Sequence, residues 1–170
     1  MSETRLPEPW LRGTLREVPA VQRAVVHALE LAGEDLQRWC GGLSDKEINV
    51  RPGPLPAVAF YLRHIRGSLD RLLTYAEGRD LSAEQLAAMK TEMDPGARRD
   101  ALFSELNSAL EKSMIRVQAF DVSVFDQIRV VGRKQLPTTV AGLLVHVADH
   151  TQRHVGQAVT TAKIVLSRPI

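Results

Sequence analysis

Three of the five histidines in the chain recur at four-residue spacing within one segment, HVADHTQRHVGQ, which holds His146, His150 and His154. On an α-helix, side chains four residues apart share a face, at a rise of about 6 Å. Two imidazoles at this spacing can bind one cation, as the paired histidines of zinc proteases do. Thr151 follows His150 where such a protease carries its catalytic glutamate, so the sequence argues against that class of enzyme.

The segment lies in a predicted helix that follows Pro137 and runs to about Leu166, through Gly156. Thr138 and Thr139 are suitable N-cap residues for this helix. At 100° per residue, His154 falls within the apolar arc and His150 at its edge, whereas His146 lies along the border. The pattern therefore directs His150 and His154 toward the interior.

A catalytic zinc site usually has three protein ligands and one open position, so a further ligand must come from another helix. The segment AFYLRHIRGSLDRLLTYAEG offers His64, which shares its inward flank with Tyr61 and Ser68. His27, in an earlier helix, is either a fourth inward-facing histidine or a partly buried one. It has no partner at helical spacing.

The spacing alone leaves two interpretations open. A single inward-facing histidine is more often a hydrogen-bonded core residue than a metal ligand, and two histidines four residues apart arise by chance. Asp149 is most simply a charge on the solvent face, with support of a ligand histidine as the alternative role. Gln157 is interpreted as a hydrogen-bonding residue at the helix border, and Ser68 lacks the adjacent base that a nucleophile needs.

The elements that must position these histidines are four long helices, which predict an all-α four-helix bundle. Gly41-Gly42 are expected to end the first helix in left-handed conformations, and Asp94-Pro95 to start the third as N-cap and first-turn proline. The predicted helices cover Pro19–Cys40, about Ala57–Glu77, a stretch from Asp94 to about Phe120, and Thr138 to about Leu166.

The connections between these helices are long. The segment LSDKEINVRPGPLP is rich in proline and predicts a non-periodic loop. Ser82 and Gln85 form a capping box that predicts a short extra helix, AEQLAAMK. Residues 121–137 carry loosely alternating β-branched residues, which indicate an irregular excursion or a short ribbon.

Composition narrows the class of protein. With 170 residues, 44% hydrophobic and 25% charged, the chain predicts a single globular domain over residues 1–170, with residues 1–16 as an N-terminal extension. A net charge of +2 and 5% aromatic residues argue against nucleic-acid binding. Cys40 is the only cysteine, so no internal disulfide can form, and no segment predicts secretion or membrane insertion; we expect a cytoplasmic protein.

Two stretches resemble the DinB-like superfamily, and the similarity extends from about Val18 to Val165. LSDKEINVRPGPLPAVAFYLRHIRGSLDRLL is similar to the loop and second helix of that family, and GRKQLPTTVAGLLVHVADHTQRHVGQ to its fourth-helix signature HxxxHxGQ. The resemblance implies that His64, His150 and His154 are metal ligands. His146 does not match a ligand position.

The resemblance further implies an up-down-down-up helix order, a divalent metal such as zinc or nickel, and a homodimer. Relatives include proteins labelled as metal-dependent hydrolases, and S-transferases or isomerases that use low-molecular-weight thiols, so a small-molecule substrate is expected. Fold and metal do not choose among these activities. The alternative is a non-catalytic metal-binding or dimeric stress-response protein, in which His146 or His27 would close the coordination sphere of a structural metal.

Overall fold

A computed structural model describes residues 6–167 of the protein, and four long helices form the predicted bundle. In chain order the elements are α1 (Ala20–Cys40), α2 (Asp45–Ile48), α3 (Val58–Ala76), α4 (Ala83–Lys90), α5 (Arg99–Gln118), β1 (Ile128–Val131), β2 (Leu136–Thr139) and α6 (Val140–Leu166). Single 3₁₀ turns occur at Pro9–Leu11 and Val122–Val124.

The core lies between the four long helices, because each of them carries an apolar stripe that must leave water. α1 and α3 are diagonal to each other, and each packs against both α5 and α6. Fully buried leucine and isoleucine side chains from all four helices fill the centre, among them Leu36, Ile65, Leu106 and Leu144. This packing fixes the position of each helix along the bundle axis relative to the others.

Side-chain contacts give the direction of α1 relative to its two neighbours. Gln22, at the start of α1, donates a hydrogen bond of 2.8 Å to the carbonyl oxygen of Val117, at the end of α5. α1 and α5 are therefore antiparallel. Lys163, near the end of α6, places its ammonium 4.2 Å from the ring centroid of Trp39, near the end of α1. α1 and α6 are therefore parallel.

Ion pairs between α3 and α5 complete the helix order. Arg66 pairs with Glu105, and one helical turn later in α3 the Asp70 carboxylate lies 2.8 Å from the guanidinium of Arg116. Residue numbers rise together along both helices, so α3 and α5 are parallel, and both oppose α1. The order is up-down-down-up, as the resemblance implied.

The start of α5 differs from the sequence prediction. The helix begins at Arg99, and the Asp94-Pro95 pair lies upstream in the loop. The backbone N–H of Arg99 donates a 2.7 Å hydrogen bond to the carboxylate of Asp45, which belongs to α2. An acceptor from a distant part of the chain thus satisfies a free N–H of the first turn, and local sequence does not reveal such a cap.

The end of α1 also corrects a prediction. Gly41 has φ −65° and ψ −21°, which is right-handed, and Gly42 has no positive φ either. A Cβ on Gly41 would lie 2.4 Å from the carbonyl oxygen of Gln37. Glycine is required there for a close approach of the backbone, and not for a left-handed turn.

The connections contain more regular structure than a plain loop. The segment predicted to be non-periodic includes α2, which begins with a capping box between Ser44 and Glu47. The predicted box of Ser82 and Gln85 is present at the start of α4. The region after α5 forms the antiparallel hairpin β1–β2, in which Ile128 pairs with Thr139, so the ribbon alternative is confirmed.

Thr139 ends the hairpin and caps α6, since its hydroxyl accepts a 3.0 Å hydrogen bond from the N–H of Gly142. Arg129 in β1 donates to the carbonyl oxygen of Ala76 at the end of α3. These bonds place the hairpin beside the junction of α3 and α6. Within residues 6–167, no helix has the length and apolar character needed to cross a membrane.

Candidate metal centre

The structure brings together the three histidines that the sequence singled out. His64 lies on α3, and His150 and His154 lie one turn apart on α6. One ring nitrogen from each of the three lies within 4.8 Å of the corresponding atoms of the other two. The Nε2 atoms of His64 and His150 are 3.1 Å apart, and the ring of His154 is centred 4.4 Å from that of His64.

This spacing fits a divalent metal ion. Zinc binds imidazole nitrogen at about 2.0–2.1 Å in tetrahedral geometry, which places two ligand nitrogens about 3.3 Å apart. The 3.1 Å between the Nε2 atoms of His64 and His150 is close to that value. Three imidazoles also suit the preference of zinc and nickel for nitrogen ligands. The residues present could therefore hold one such ion.

Hydrogen bonds at the other ring nitrogens prepare two of the histidines for this role. His154 Nδ1 lies 2.7 Å from the amide oxygen of Gln157, which can only accept, so Nδ1 carries the proton and Nε2 keeps its lone pair. His64 Nδ1 lies 2.7 Å from a carboxylate oxygen of Glu92, with the same consequence. Gln157 thus acts as the predicted hydrogen-bonding residue, and its partner is a site histidine.

Glu92 is the residue of the site that sequence reasoning missed. It lies in the turn after α4 and is only 7% exposed, and its second oxygen faces Arg71 at 2.9 Å in an ion pair. Burial opposes ionisation, but the hydrogen bond from His64 and the charge of Arg71 outweigh it, so the pKa of Glu92 lies below its usual range. The segment KTEMDPG shows no periodicity, so a lone glutamate within it gives no signal.

His150 and His154 are held in the neutral form that a metal requires. Burial, and then the neighbouring charges of His154 and His64, lower the pKa of His150 to about 4. Burial and His64 also lower the pKa of His154. Neutral imidazole is the ligand form, so protons compete weakly for these nitrogens near neutral pH.

The two remaining histidines do not join this group. His146 is more exposed, and its Nδ1 lies 2.8 Å from the carboxylate of Asp149, which is itself exposed, as predicted for a solvent-face charge. His27 is buried in α1, and its Nε2 lies 3.1 Å from the hydroxyl of Thr14. Among residues 6–167, neither is part of the group of side chains close enough to share an ion.

A cleft of about 420 Å³ opens onto His64 and His150. Its walls are formed by α3, the residues around α4 and the turn of the hairpin. Most of its accessible surface is apolar, and the apolar side chains that line it are Leu72, Leu81, Leu86 and Met89. Arg71 and Arg133 also line it. Ser68 lines it too, but its hydroxyl donates to the carbonyl oxygen of Ile65. A larger groove, of about 870 Å³ between α3, α4 and α5, contains none of the histidines.

Comparison with known proteins agrees with this architecture. A crystal structure of a conserved protein from Enterococcus faecalis has a TM-score of 0.73, covering 88% of this chain and 99% of that chain, at 18% sequence identity. That similarity concerns the fold. No curated protein matches the chain. The DinB superfamily matches residues 28–158, which is most of the sequence and includes all three site histidines, and the chain therefore belongs to the DinB superfamily.

Proposed function

We propose that the protein is a metal-dependent enzyme that holds one divalent ion, zinc or nickel, on His64, His150 and His154. Its reaction would be hydrolysis or transfer to a low-molecular-weight thiol, with a small-molecule substrate bound in the cleft. The observation that carries this proposal is the 420 Å³ cleft, which is lined by two of the three histidines. A concave, mostly apolar cleft beside a metal site is the usual arrangement of an active centre.

When bound, the metal would favour the deprotonated form of a water or thiol and so supply a nucleophile near neutral pH. The chain contributes the rest. The three imidazoles present neutral nitrogens, and two of them are kept in one tautomer by Glu92 and Gln157. The apolar wall from α4 removes water from the bound substrate, and Arg133 at the hairpin turn adds a positive charge at the edge of the cleft.

The alternative, a non-catalytic protein with a structural metal, requires a fourth protein ligand that closes the coordination sphere. His146 and His27 were the candidates, and within the described chain both have other partners and lie outside the three-histidine group. Their position favours an open coordination site and therefore the enzyme. Zinc content alone does not distinguish the two functions, so an activity assay with several thiols and an electrophilic probe is also needed.

Metal analysis of the purified, untagged protein tests the site itself. We expect about one zinc or nickel ion per chain, because one three-histidine set provides one site. His64→Ala and His150→Ala should each remove most of the metal. His146→Ala is the matched control on the same helix and should keep it. Unchanged metal content in the first two variants would overturn the assignment, and loss in His27→Ala would redirect it to α1.

The expected homodimer is a separate part of the proposal. Light scattering of the metal-loaded protein would give its mass, for comparison with 18.8 kDa for one chain. A mass near twice that value supports a dimer. A mass equal to that of one chain would overturn the expected dimer.

A further inference from the structure

Glu92 lies between a site histidine and an arginine. One carboxylate oxygen is 2.7 Å from Nδ1 of His64, and the other is 2.9 Å from the guanidinium of Arg71. The side chains of Glu92 and Arg71 are 8% and 10% exposed, respectively. A carboxylate is rarely this buried unless a charged group or hydrogen bond compensates it. Here Oε2 is hydrogen-bonded to His64, whereas Oε1 is compensated by the charge of Arg71 and makes no hydrogen bond within the described residues.

The helix α3 makes room for this pair at Gly67. A Cβ at that position would lie 2.7 Å from Nη1 of Arg71 and 2.9 Å from Oε1 of Glu92, both shorter than any ordinary contact. A glycine inside a helix costs stability relative to alanine. Its presence here has a local reason, because any side chain would displace the Glu92–Arg71 pair.

The backbone around Glu92 is fixed by other contacts with α3 and α2. Arg63 donates a hydrogen bond to the carbonyl oxygen of Asp94, two residues after Glu92. Further along, Asn49 makes two hydrogen bonds with the backbone of Ala97. Glu92 is therefore held on a loop that is attached to the bundle at several points, which suits a residue that must orient another side chain.

We propose that Glu92 is a positioning residue of the metal site. It holds His64 in the tautomer with the proton on Nδ1, fixes the angle of the ring, and through its negative charge makes Nε2 a better metal ligand. Carboxylate–histidine–metal arrangements act in this way, and their loss typically costs 10–100-fold in metal affinity. Arg71 holds the carboxylate in place, and Gly67 leaves the space for both. This inference rests on the proposed metal site.

The first experiment measures zinc affinity by competition with a chelator. Glu92→Gln keeps the size of the side chain and removes its charge, and we expect affinity to fall about 10–100-fold. Glu77→Gln is the matched control, because Glu77, directly after α3, also forms an ion pair with an arginine, Arg116, but lies away from the histidines. Its zinc affinity should stay within about twofold of the wild type. Equal affinity in Glu92→Gln and wild type would overturn the proposal, as would an equal loss in both variants.

A second measurement does not depend on the metal. Nitrogen-15 NMR of the metal-free protein reports which ring nitrogen of His64 carries the proton. We expect Nδ1–H in the wild type and a larger share of Nε2–H in Glu92→Gln. A wild-type protein with Nε2–H at His64 would overturn the proposal.

Gly67→Ala tests the same contact without changing a charge. Alanine has a higher helix propensity than glycine, which favours stability, whereas displacement of Glu92 should weaken zinc binding. The stability of the protein and its zinc affinity are therefore expected to change in opposite directions. Wild-type affinity in this variant would count against the role of the pair.

Cobalt spectra separate positioning from ligation, since the bands of Glu92→Gln should keep their positions unless Glu92 is itself a ligand. If the wild type binds no metal, the proposed metal site is wrong. If the wild type binds metal and Glu92→Gln binds it equally well, the metal site stands and the role of Glu92 is wrong.

Discussion

His150 combines two properties that oppose each other in an ordinary histidine. It is partly buried beside two other imidazoles, and this lowers its pKa to about 4. The same environment supplies nitrogens at metal-binding distance from one another. Protonation of His150 would place a charge next to His64 and His154, whereas a bound metal uses all three lone pairs. The environment of His150 therefore disfavours protonation and favours binding of a metal cation.

The low pKa of His150 predicts how the stability of the metal-free protein depends on pH. Between pH 6.5 and about 4 the unfolded chain binds a proton at this residue and the folded chain does not. The free energy of unfolding is therefore unaffected by His150 above pH 6.5 and decreases as the pH falls below that value. The full shift from 6.5 to about 4 corresponds to about 3 kcal/mol, which partial exposure reduces to about 1–2 kcal/mol.

Urea unfolding in the presence of a chelator at pH 7, 6 and 5 checks this prediction. His150→Gln, which cannot take up the proton, should lose less stability than the wild type over the same range. Parallel pH profiles for the two proteins would contradict the assigned pKa shift.

At the scale of elements, the loop helix α2 is tied to the start of α5. The side chain of Asn49 donates to the carbonyl oxygen of Ala97 at 2.8 Å and accepts from its N–H at 3.0 Å. Asn49→Ala would leave both backbone groups without these partners, and we expect a loss of about 1–3 kcal/mol in urea unfolding. Lys46→Ala, an exposed change in α2, the short helix that Asn49 follows, should stay within about 0.5 kcal/mol of the wild type. Equal losses in the two variants would show that α2 acts only through its helix propensity.

The helices and their faces could be predicted from sequence because their causes are local. Apolar periodicity located all four long helices, and the capping residues Ser82 and Thr139 were found because a cap lies next to the helix it serves. The predicted start of α5 was wrong because its cause is not local. Asp45 binds the N–H of Arg99 from 54 residues away, so no local pattern contains that cap.

The same division applies to the candidate site. The histidine pair of α6 follows from helical spacing. Spacing alone left both His64 and His27 as inward-facing histidines on other helices, and the resemblance to the DinB-like superfamily selected His64. Glu92 could not be predicted, because its burial depends on how the turn after α4 docks on α3 and on the space at Gly67. Such contacts depend on packing between segments that are distant in sequence, which periodicity cannot predict.

Across the whole molecule, Cys40 is the only thiol and is completely buried at the end of α1. Burial raises its pKa to about 12, so it is protonated and unreactive in the folded protein. We expect no reaction with a thiol reagent such as dithionitrobenzoate at pH 8 until the protein unfolds in urea, when one thiol per chain should react. Rapid labelling of the native protein would contradict this. Any thiol used in the proposed reaction must then come from outside the chain.

The parallel pairing of α1 and α6 determines how the protein responds to mechanical force. Ala20 and Leu166 lie at opposite ends of two helices that point the same way, so tension between them slides one helix along the other and loads the contacts of their interface together. Tension between Ala20 and Gln118 acts at neighbouring ends of antiparallel helices and opens them one turn at a time. In an optical trap, handles at the first pair of positions should require the higher rupture force. Equal forces for the two attachments would mean that the bundle yields elsewhere first.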